Sequence, residues 1–196
     1  KTVRETLKKS KQRTAKLQRI SEALPLIVRR KEIEAGLAGY AGVADLPEDF
    51  GEEFIELYNR GDAPADLLGW RIDSGVDFDF PDVTIGAGEY LVIPADPDVF
   101  ATNYPTVTNY INAGWTGHLS NSGETIDLQD ELGVTVDKVD YADEGDWAVR
   151  QWVADEAYGF GYDWSGLHDG GGHTLELINP AITNNNGQNW SASLVV

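Results

Sequence analysis

The sequence predicts an all-β domain behind a helical lead-in. Its glycines, prolines and aromatic residues (21 Gly, 8 Pro, 6 Trp, 8 Tyr and 6 Phe) occur among short apolar runs separated by turn signals, which is typical of an all-β chain rather than an α/β chain. The first quarter of the chain lacks this pattern. A core of about 100 to 150 residues already buries most of its apolar surface, so 196 residues hold one main domain and an appendage.

The lead-in is predicted to be an α-helix over residues 3–24. Thr2 and Glu5 form a capping-box pair ahead of a run of helix-forming residues, and Pro25 ends that run. The pattern favours a solvated helical linker, with binding to a membrane surface or to a partner helix as the alternatives.

The chain between the lead-in and the main domain is ambiguous. Residues 26–28 open either a strand or a second short helix, and the glycine-rich, acidic residues 36–51 are predicted to be a linker. We therefore assign residues 1–50 to a basic helical lead-in and linker, and residues 51–196 to the main domain.

From residue 53 onward the sequence predicts seven or more short strands. They are carried by the runs EFIELYN (53–59), LLGWRID (67–73), VDFDF (76–80), EYLVI (89–93), ETIDLQD (124–130), GVTVDKVDY (133–141), TLELIN (174–179) and the tail near NWSASLVV (189–196). In VDFDF, two carboxylates alternate with two rings, so they lie on opposite faces of a half-buried strand.

The connections between these runs are also informative. The runs on either side of residues 131–133 are predicted to form a hairpin, and Asp96 is predicted to cap a short helix over residues 96–104. Strands of this number and spacing fit an immunoglobulin-like β-sandwich with Greek-key connections. Residues 142–172 do not fit it and are predicted to be a long irregular insert.

Four runs in the main domain together resemble the lamin tail domain family, an immunoglobulin-like module of nuclear lamins and of many large bacterial surface or secreted proteins. They are EFIELYNRGDAPADLLGWRIDSG (53–75), FPDVTIGAGEYLVI (80–93), LSNSGETIDLQDELGVTVDKVDYADEGDW (119–147) and HTLELINPAITNNNGQNWSAS (173–193). On this resemblance Asn59 caps a turn, Trp70 is the central core aromatic, and Trp190 packs at the closing end of the sandwich.

Two departures from the family pattern bear on its meaning here. The family's first strand, just ahead of EFIELYN, has no clear counterpart in residues 26–50, so we expect it to be degenerate or absent. The basic surface through which nuclear lamin tails meet DNA is also missing. The resemblance therefore implies a member of the bacterial surface or secreted type, with an extracellular or cell-surface location.

Charge is distributed very unevenly along the chain. Residues 1–31 carry 11 Lys and Arg against Glu5 and Glu22, a net charge of +9, whereas the remaining residues carry four Lys and Arg against 31 acidic residues, a net charge of −27. So acidic a body repels phosphates, and we expect it to bind neither nucleic acid nor an anionic membrane. The acidity also fits a saline habitat.

The sequence argues against several classes of function. The chain has no cysteine, which excludes disulfides, thiol catalysis and thiolate zinc sites. It has no apolar run near the roughly 18 residues that span a bilayer. The motifs G-x-S-x-G, H-E-x-x-H and the Walker loop are missing. We therefore expect a protein that is not an enzyme and has no membrane span.

Residues 140–169 contain possible metal ligands. Four carboxylates lie where a predicted strand ends and a loop begins: Asp140, Asp143, Glu144 and Asp146. Asp163 and Asp169 follow later in the same region. Carboxylate oxygens suit calcium, which is the cofactor that we expect if one is bound, and a solvated acidic loop is the alternative. His168 and His173 have zinc-ligand chemistry, but the triple glycine between them disfavours the fixed ligand geometry of a metal site.

The same insert concentrates aromatic side chains. Six lie within eighteen residues, interleaved with Asp155, Glu156 and Asp163: Trp147, Trp152, Tyr158, Phe160, Tyr162 and Trp164. Aromatic rings beside hydrogen-bond acceptors form one kind of carbohydrate-binding face. We favour the alternative that the rings pack the insert onto the sandwich edge, because a loop this long needs its own small core.

These observations lead to two functional hypotheses. The first is a non-catalytic binding or anchoring module within a larger extracellular or cell-surface protein, where it mediates protein contacts. The second is a carbohydrate-binding accessory module of a secreted hydrolase. In both hypotheses the specific contacts are expected in residues 142–172, because the residues shared with the family specify the fold rather than an activity.

Overall fold

The computed structural model describes residues 26–29, 50–155, 159–166, 168 and 173–193. The predicted helix of residues 3–24 lies outside these residues, as does nearly all of the predicted linker. The strands are β1 (Leu26–Arg29), β2 (Phe54–Tyr58), β3 (Ala65–Asp66), β4 (Arg71–Asp73), β5 (Val76–Asp79), β6 (Thr84–Ile85), β7 (Tyr90–Pro94), β8 (Thr116–Gly117), β9 (Gly123–Gln129), β10 (Thr135–Ala142), β11 (Val149–Asp155), β12 (Gly159–Ser165), β13 (Leu175–Leu177) and β14 (Trp190–Ala192).

Helical elements are few and short. The helix α1 (Pro97–Asn103) follows β7, and 3-10 turns lie at Phe50–Glu52, Gly145–Trp147 and Gly187–Asn189. No helix among the described residues is long and apolar enough to span a membrane.

Two antiparallel sheets enclose the main core. One has the strand order β1-β2-β7 and the other β10-β9-β4-β5-β8. Inward-pointing side chains of both sheets form a single cluster that includes Ile55, Leu57, Leu91 and Ile93 from the first sheet and Ile72, Phe78, Ile126, Leu128 and Val139 from the second. Trp70 and Trp190 are buried in the same cluster, as predicted. The all-β, immunoglobulin-like fold is confirmed.

Side-chain alternation explains why these segments are strands. In β5, Val76 and Phe78 are buried while Asp77 and Asp79 are exposed, which confirms the predicted half-buried strand. A period of two lets one face of the strand enter the core while the other stays solvated.

The strand ahead of β2 resolves an ambiguity of the sequence. Leu26–Arg29 form β1, which pairs antiparallel with β2 so that Leu26 lies opposite Leu57 and Arg29 opposite Phe54. Residues 26–28 are therefore in a strand, one of the two alternatives that the sequence left open, and this strand is part of the first sheet. The sequence left the choice between strand and helix open because this strand is only four residues long and is followed by further basic residues. The domain boundary after residue 50 stays a prediction, although β1 shows that the first sheet includes chain before it.

The outer face of the first sheet is covered by α1. Phe54, Val92 and Phe100 are buried together, and Tyr104 and Tyr110 pack against them. The helix begins at the predicted cap: the Asp96 carboxylate accepts hydrogen bonds from the backbone N–H groups of Asp98 and Val99, at 2.9 and 3.2 Å.

The predicted hairpin around residues 131–133 is confirmed. Strands β9 and β10 pair antiparallel, with Ile126 opposite Val139. Asp130 is buried and organises the turn, because its Oδ1 accepts from the N–H groups of Leu132 and Val134, both at 2.9 Å. The last predicted runs form the antiparallel pair β13 and β14.

The insert is more regular than predicted. Within residues 142–172 the structure contains the 3-10 turn Gly145–Trp147 and an antiparallel hairpin of β11 and β12. Among the described residues this hairpin pairs with no other strand. The expectation of an irregular insert overlooked the alternation in GFGYDWS (159–165), where every second residue from Phe160 is aromatic, a pattern of period two that indicates a strand.

Candidate functional site

The hairpin of β11 and β12 gathers aromatic residues on one face. Its register pairs Arg150 with Trp164, Trp152 with Tyr162, and Ala154 with Phe160. Directly opposite residues of an antiparallel pair point to the same side, as do alternate residues along each strand. One side of the hairpin therefore carries a surface that we call the aromatic face, consisting of Arg150, Trp152, Phe160, Tyr162 and Trp164.

The rings of the aromatic face are exposed to solvent. The exposed fractions are 59% for Trp152, 77% for Phe160, 59% for Tyr162 and 49% for Trp164. Soluble proteins rarely leave several neighbouring large apolar side chains in water, and contiguous patches of this kind mark binding surfaces.

The side chains of this face support one another. The Trp152 and Phe160 rings are parallel to within 9°, with centroids 6.2 Å apart, and Tyr162 meets Trp152 edge to face at 5.0 Å. The Arg150 guanidinium carbon lies 4.4 Å from the centroid of the Tyr162 ring, a cation–π contact. These contacts favour this arrangement of the rings before any partner binds.

Trp147 fixes the base of the insert to the core. It lies in the 3-10 turn that follows β10 and is partly buried against the main cluster, with its ring centroid 5.9 Å from that of Trp190. The Trp190 indole N–H in turn donates to the carbonyl oxygen of Asn184 at 2.6 Å. The hairpin therefore extends from an anchored base.

The predicted aromatic residues thus have two different roles. The interpretation that the rings pack onto the sandwich holds for Trp147. It is wrong for the four exposed rings of the hairpin, which are Trp152, Phe160, Tyr162 and Trp164. Tyr158 lies outside the described residues. Binding of a ligand by these side chains stays a prediction.

Asp140 lies on the outer face of the second sheet. Its carboxylate accepts a hydrogen bond from the Thr125 hydroxyl, and the ammonium of Lys138 lies 3.2 Å from Oδ1. The hydrogen bond from Thr125 is the main reason that the pKa of Asp140 is lowered, and burial opposes this effect while Lys138 adds to it. This carboxylate already has protein partners.

The other predicted calcium ligands do not converge with Asp140. Asp143 and Glu144 follow the end of β10, and Asp146 lies in the 3-10 turn, where Gln188 Nε2 is 3.5 Å from its Oδ2. The described part of the chain contains no group of three or more His, Asp or Glu side chains that could hold a metal ion. The Asp163 side chain and Asp169 are not among the described residues. Calcium binding stays a prediction.

The two histidines of the insert contact backbone in different places. His168 is buried, and its Nε2 lies 2.8 Å from the carbonyl oxygen of Ala142. The Nδ1 of His173 lies 2.5 Å from the carbonyl oxygen of Ser193. These contacts tie the return of the insert to the end of β10 and to the chain after β14.

Arg150 is the one member of the aromatic face that was not predicted from the sequence. Its place depends on the register of the hairpin, which sets it opposite Trp164 and over Tyr162. A sequence signal exists, because Arg150 and Trp152 have the spacing of same-face neighbours in a strand.

The remaining cations of the acidic body are engaged elsewhere. Arg71 Nη2 lies 3.0 Å from Asp73 Oδ1 and 3.1 Å from Asp77 Oδ1, and Arg60 donates to the carbonyl oxygen of Pro180 at 2.8 Å. With Lys138 paired to Asp140, the field around the main domain is strongly negative.

Comparison with known proteins agrees with this architecture. The model of the Lamin Tail Domain family matches residues 34–143, which is more than half of the chain. The match ends where the insert begins, so β1 lies before the matched residues and β11 to β14 lie after them. No curated protein matches the chain. Because the family model matches more than half of the sequence, this chain belongs to the lamin tail domain family.

Proposed function

We propose that the chain is a non-catalytic module that anchors or joins proteins at a cell surface or outside the cell, and that the aromatic face is its contact surface. The observation that carries the proposal is the exposure of Trp152, Phe160, Tyr162 and Trp164 on one side of an anchored hairpin.

Three physical arguments support protein contact. Trp, Tyr and Arg are the residues that most often dominate the binding energy of protein interfaces. The rings are ordered by their own contacts, which lowers the entropy lost on binding. The lamin tail domain is a non-enzymatic immunoglobulin-like family, and a sandwich of this kind presents loops and hairpins on a rigid scaffold.

The test is binding of the fluorescently labelled chain to intact cells of the species that carries the gene. We expect the double variant Trp152→Ala, Tyr162→Ala to bind at least tenfold more weakly than wild type, because two central rings are lost. The matched control is Phe50→Ala, which removes an aromatic ring that is 43% exposed elsewhere. Protease treatment of the cells should abolish binding. Equal binding by the double variant overturns the proposal.

A carbohydrate ligand is the second candidate, in the setting of an accessory module of a secreted hydrolase. The observation that favours it is the parallel arrangement of Trp152 and Phe160, because flat exposed rings pack against the apolar faces of sugars. Electrophoresis through gels containing soluble polysaccharides tests it. Retardation of the wild type that is lost in Trp152→Ala, together with cell binding that survives protease, selects this candidate over protein contact.

A further inference from the structure

Within the aromatic face, one cation already lies over a ring. The Arg150 guanidinium carbon lies 4.4 Å from the centroid of the Tyr162 ring, although Arg150 itself is exposed. The negative π face of the ring attracts a guanidinium, and its planar shape also stacks on rings. The chain thus contains an internal example of the chemistry that its rings accept. Trp152, Phe160 and Trp164 supply further exposed ring surface beside it.

The negative charge of the domain favours a positively charged partner. The residues after Lys31 have four cations against 31 acidic residues. Arg71 and Lys138 lie in ion pairs with carboxylates, and Arg150 lies over a ring. An approaching polyanion is repelled by this surface, and an approaching polycation is attracted to it.

We propose that the aromatic face binds an arginine-rich basic segment of a partner protein, whose guanidinium groups stack on the exposed rings of Trp152, Phe160 and Trp164 beside the Arg150–Tyr162 pair. This inference rests on the proposed function and names its partner's chemistry. The surrounding negative field raises the local concentration of such a segment, and the rings give it a preference for arginine over lysine, because a guanidinium is planar and less strongly hydrated than an ammonium.

The test measures binding of dye-labelled peptides to the full chain by fluorescence anisotropy. The probes are oligoarginine, oligolysine of equal length, and oligocitrulline, which keeps the shape of the arginine side chain and lacks its charge. We expect oligoarginine to bind more tightly than oligolysine, oligocitrulline to bind at least tenfold more weakly, and oligoarginine affinity to fall as salt rises. Equal affinity for oligoarginine and oligocitrulline overturns the inference.

Variants separate the rings from the general acidity. Trp152→Ala should weaken oligoarginine binding by about fivefold, the typical effect of losing one exposed cation–π contact, whereas Trp152→Phe should retain most of it and Phe50→Ala should have no effect. Circular dichroism verifies the fold of each variant. If Trp152→Ala binds like wild type, or oligolysine binds as tightly as oligoarginine, acidity alone is responsible and the inference is wrong.

Other occupants of the face give different results. A second copy of this chain on the face makes the wild type a dimer and Trp152→Ala a monomer in sedimentation equilibrium, and this result also overturns the inference. If cell binding requires the rings but is not inhibited by oligoarginine, that result contradicts the arginine-rich partner and leaves the proposed function standing. Retention by neutral polysaccharides without oligoarginine binding selects the carbohydrate candidate instead.

Discussion

Trp147 lies against Trp190, with the ring centroids 5.9 Å apart and the ring planes inclined by 37°. Trp190 belongs to β14 and is buried in the main core, so this contact joins the start of the insert to the closing strand of the domain. The two tryptophans are 43 positions apart in the printed sequence, and their contact makes the insert a part of the folded domain rather than an appended loop.

Replacing Trp147 by alanine should therefore destabilise the whole domain. We expect the free energy of unfolding to fall by about 2 kcal/mol, less than for a fully buried tryptophan because Trp147 is only partly buried. Urea unfolding measures the change. The control is Trp152→Ala in the same insert, where the side chain is 59% exposed and the loss should be clearly smaller than for Trp147→Ala. Equal losses in the two variants contradict the anchoring role.

Gly187 lets two 3-10 turns approach closely beneath this contact. A Cβ atom on Gly187 would lie 2.5 Å from the carbonyl carbon of Asp146 and 2.7 Å from the backbone nitrogen of Trp147. Backbone atoms cannot move aside as a flexible side chain does, so Gly187→Ala should cost roughly 2 kcal/mol of stability. Gly161→Ala on β12 is the matched control, since its Cβ meets nothing within 4 Å. A neutral Gly187→Ala shows that the turns separate easily.

Asn59 is fully buried at the end of β2 and holds the following turn, as the resemblance implied. Its Nδ2 donates to the carbonyl oxygens of Ala63 and Ile85, at 2.9 and 3.0 Å, and its Oδ1 accepts from the N–H of Gly61 at 2.9 Å. Asn59→Asp places a buried carboxylate oxygen against both carbonyls, and we expect a loss of about 3 kcal/mol.

Thermal unfolding of Asn59→Asp near neutral pH measures this loss. The control is Asn109→Asp, where the exposed side chain makes one hydrogen bond to the carbonyl oxygen of Tyr90, and a loss within about 0.5 kcal/mol is expected. A melting temperature for Asn59→Asp as high as that of the control variant contradicts the proposed role of the amide.

The strands could be predicted from the sequence because buried and exposed residues alternate along them with a period of two. Strands such as β5 bury one face, so Phe78 and Asp77 alternate in the sequence as they do in space. The core positions of Trp70 and Trp190 followed from the family resemblance, which carries the fold. The sequence left residues 26–28 as a strand or a short helix, and the choice depends on the pairing of β1 with β2, which is a contact between distant parts of the chain.

The candidate site was harder to predict, because it depends on pairing between segments. The sequence pointed to Trp152 and Tyr162 but favoured burying them, since exposure on a hairpin face depends on what the rest of the fold leaves uncovered. The place of Arg150 required the register of β11 and β12. The carboxylates were predicted to share a metal site because they are close in sequence. In the structure Asp140 lies on a strand and Asp146 in a turn, so their side chains contact different partners.

The lowered pKa of Asp140 predicts a pH-dependent contribution to stability. Because the folded-state pKa lies below the ordinary value of about 3.9, the contribution is fully present above pH 4 and is lost as the pH falls through the folded pKa. Asp140→Asn should lower stability near neutral pH by roughly 0.5 kcal/mol, a small value because solvent screens this exposed group. The difference from wild type should shrink in acid. Asp82→Asn, an exposed loop control, should show no such convergence in urea unfolding across this pH range.

Tyr104 should make the domain sensitive to alkali. Burial, followed by the negative charge of Glu52, raises the pKa of Tyr104 from 10.0 to about 12. A raised pKa opposes ionisation in the folded state only, so the associated stability is present below about pH 10 and is lost as the pH rises towards 12.

Tyrosinate absorbance tests this directly. A tyrosine step near pH 12 should appear in the wild type, and that step should be missing in Tyr104→Phe. Glu52→Gln should shift the step to lower pH without removing it, because burial remains the larger cause. Tyr104→Phe should also lose less stability than wild type between pH 10 and 12, since phenylalanine has no proton to release. A late step that persists in Tyr104→Phe assigns it to another tyrosine and contradicts the prediction.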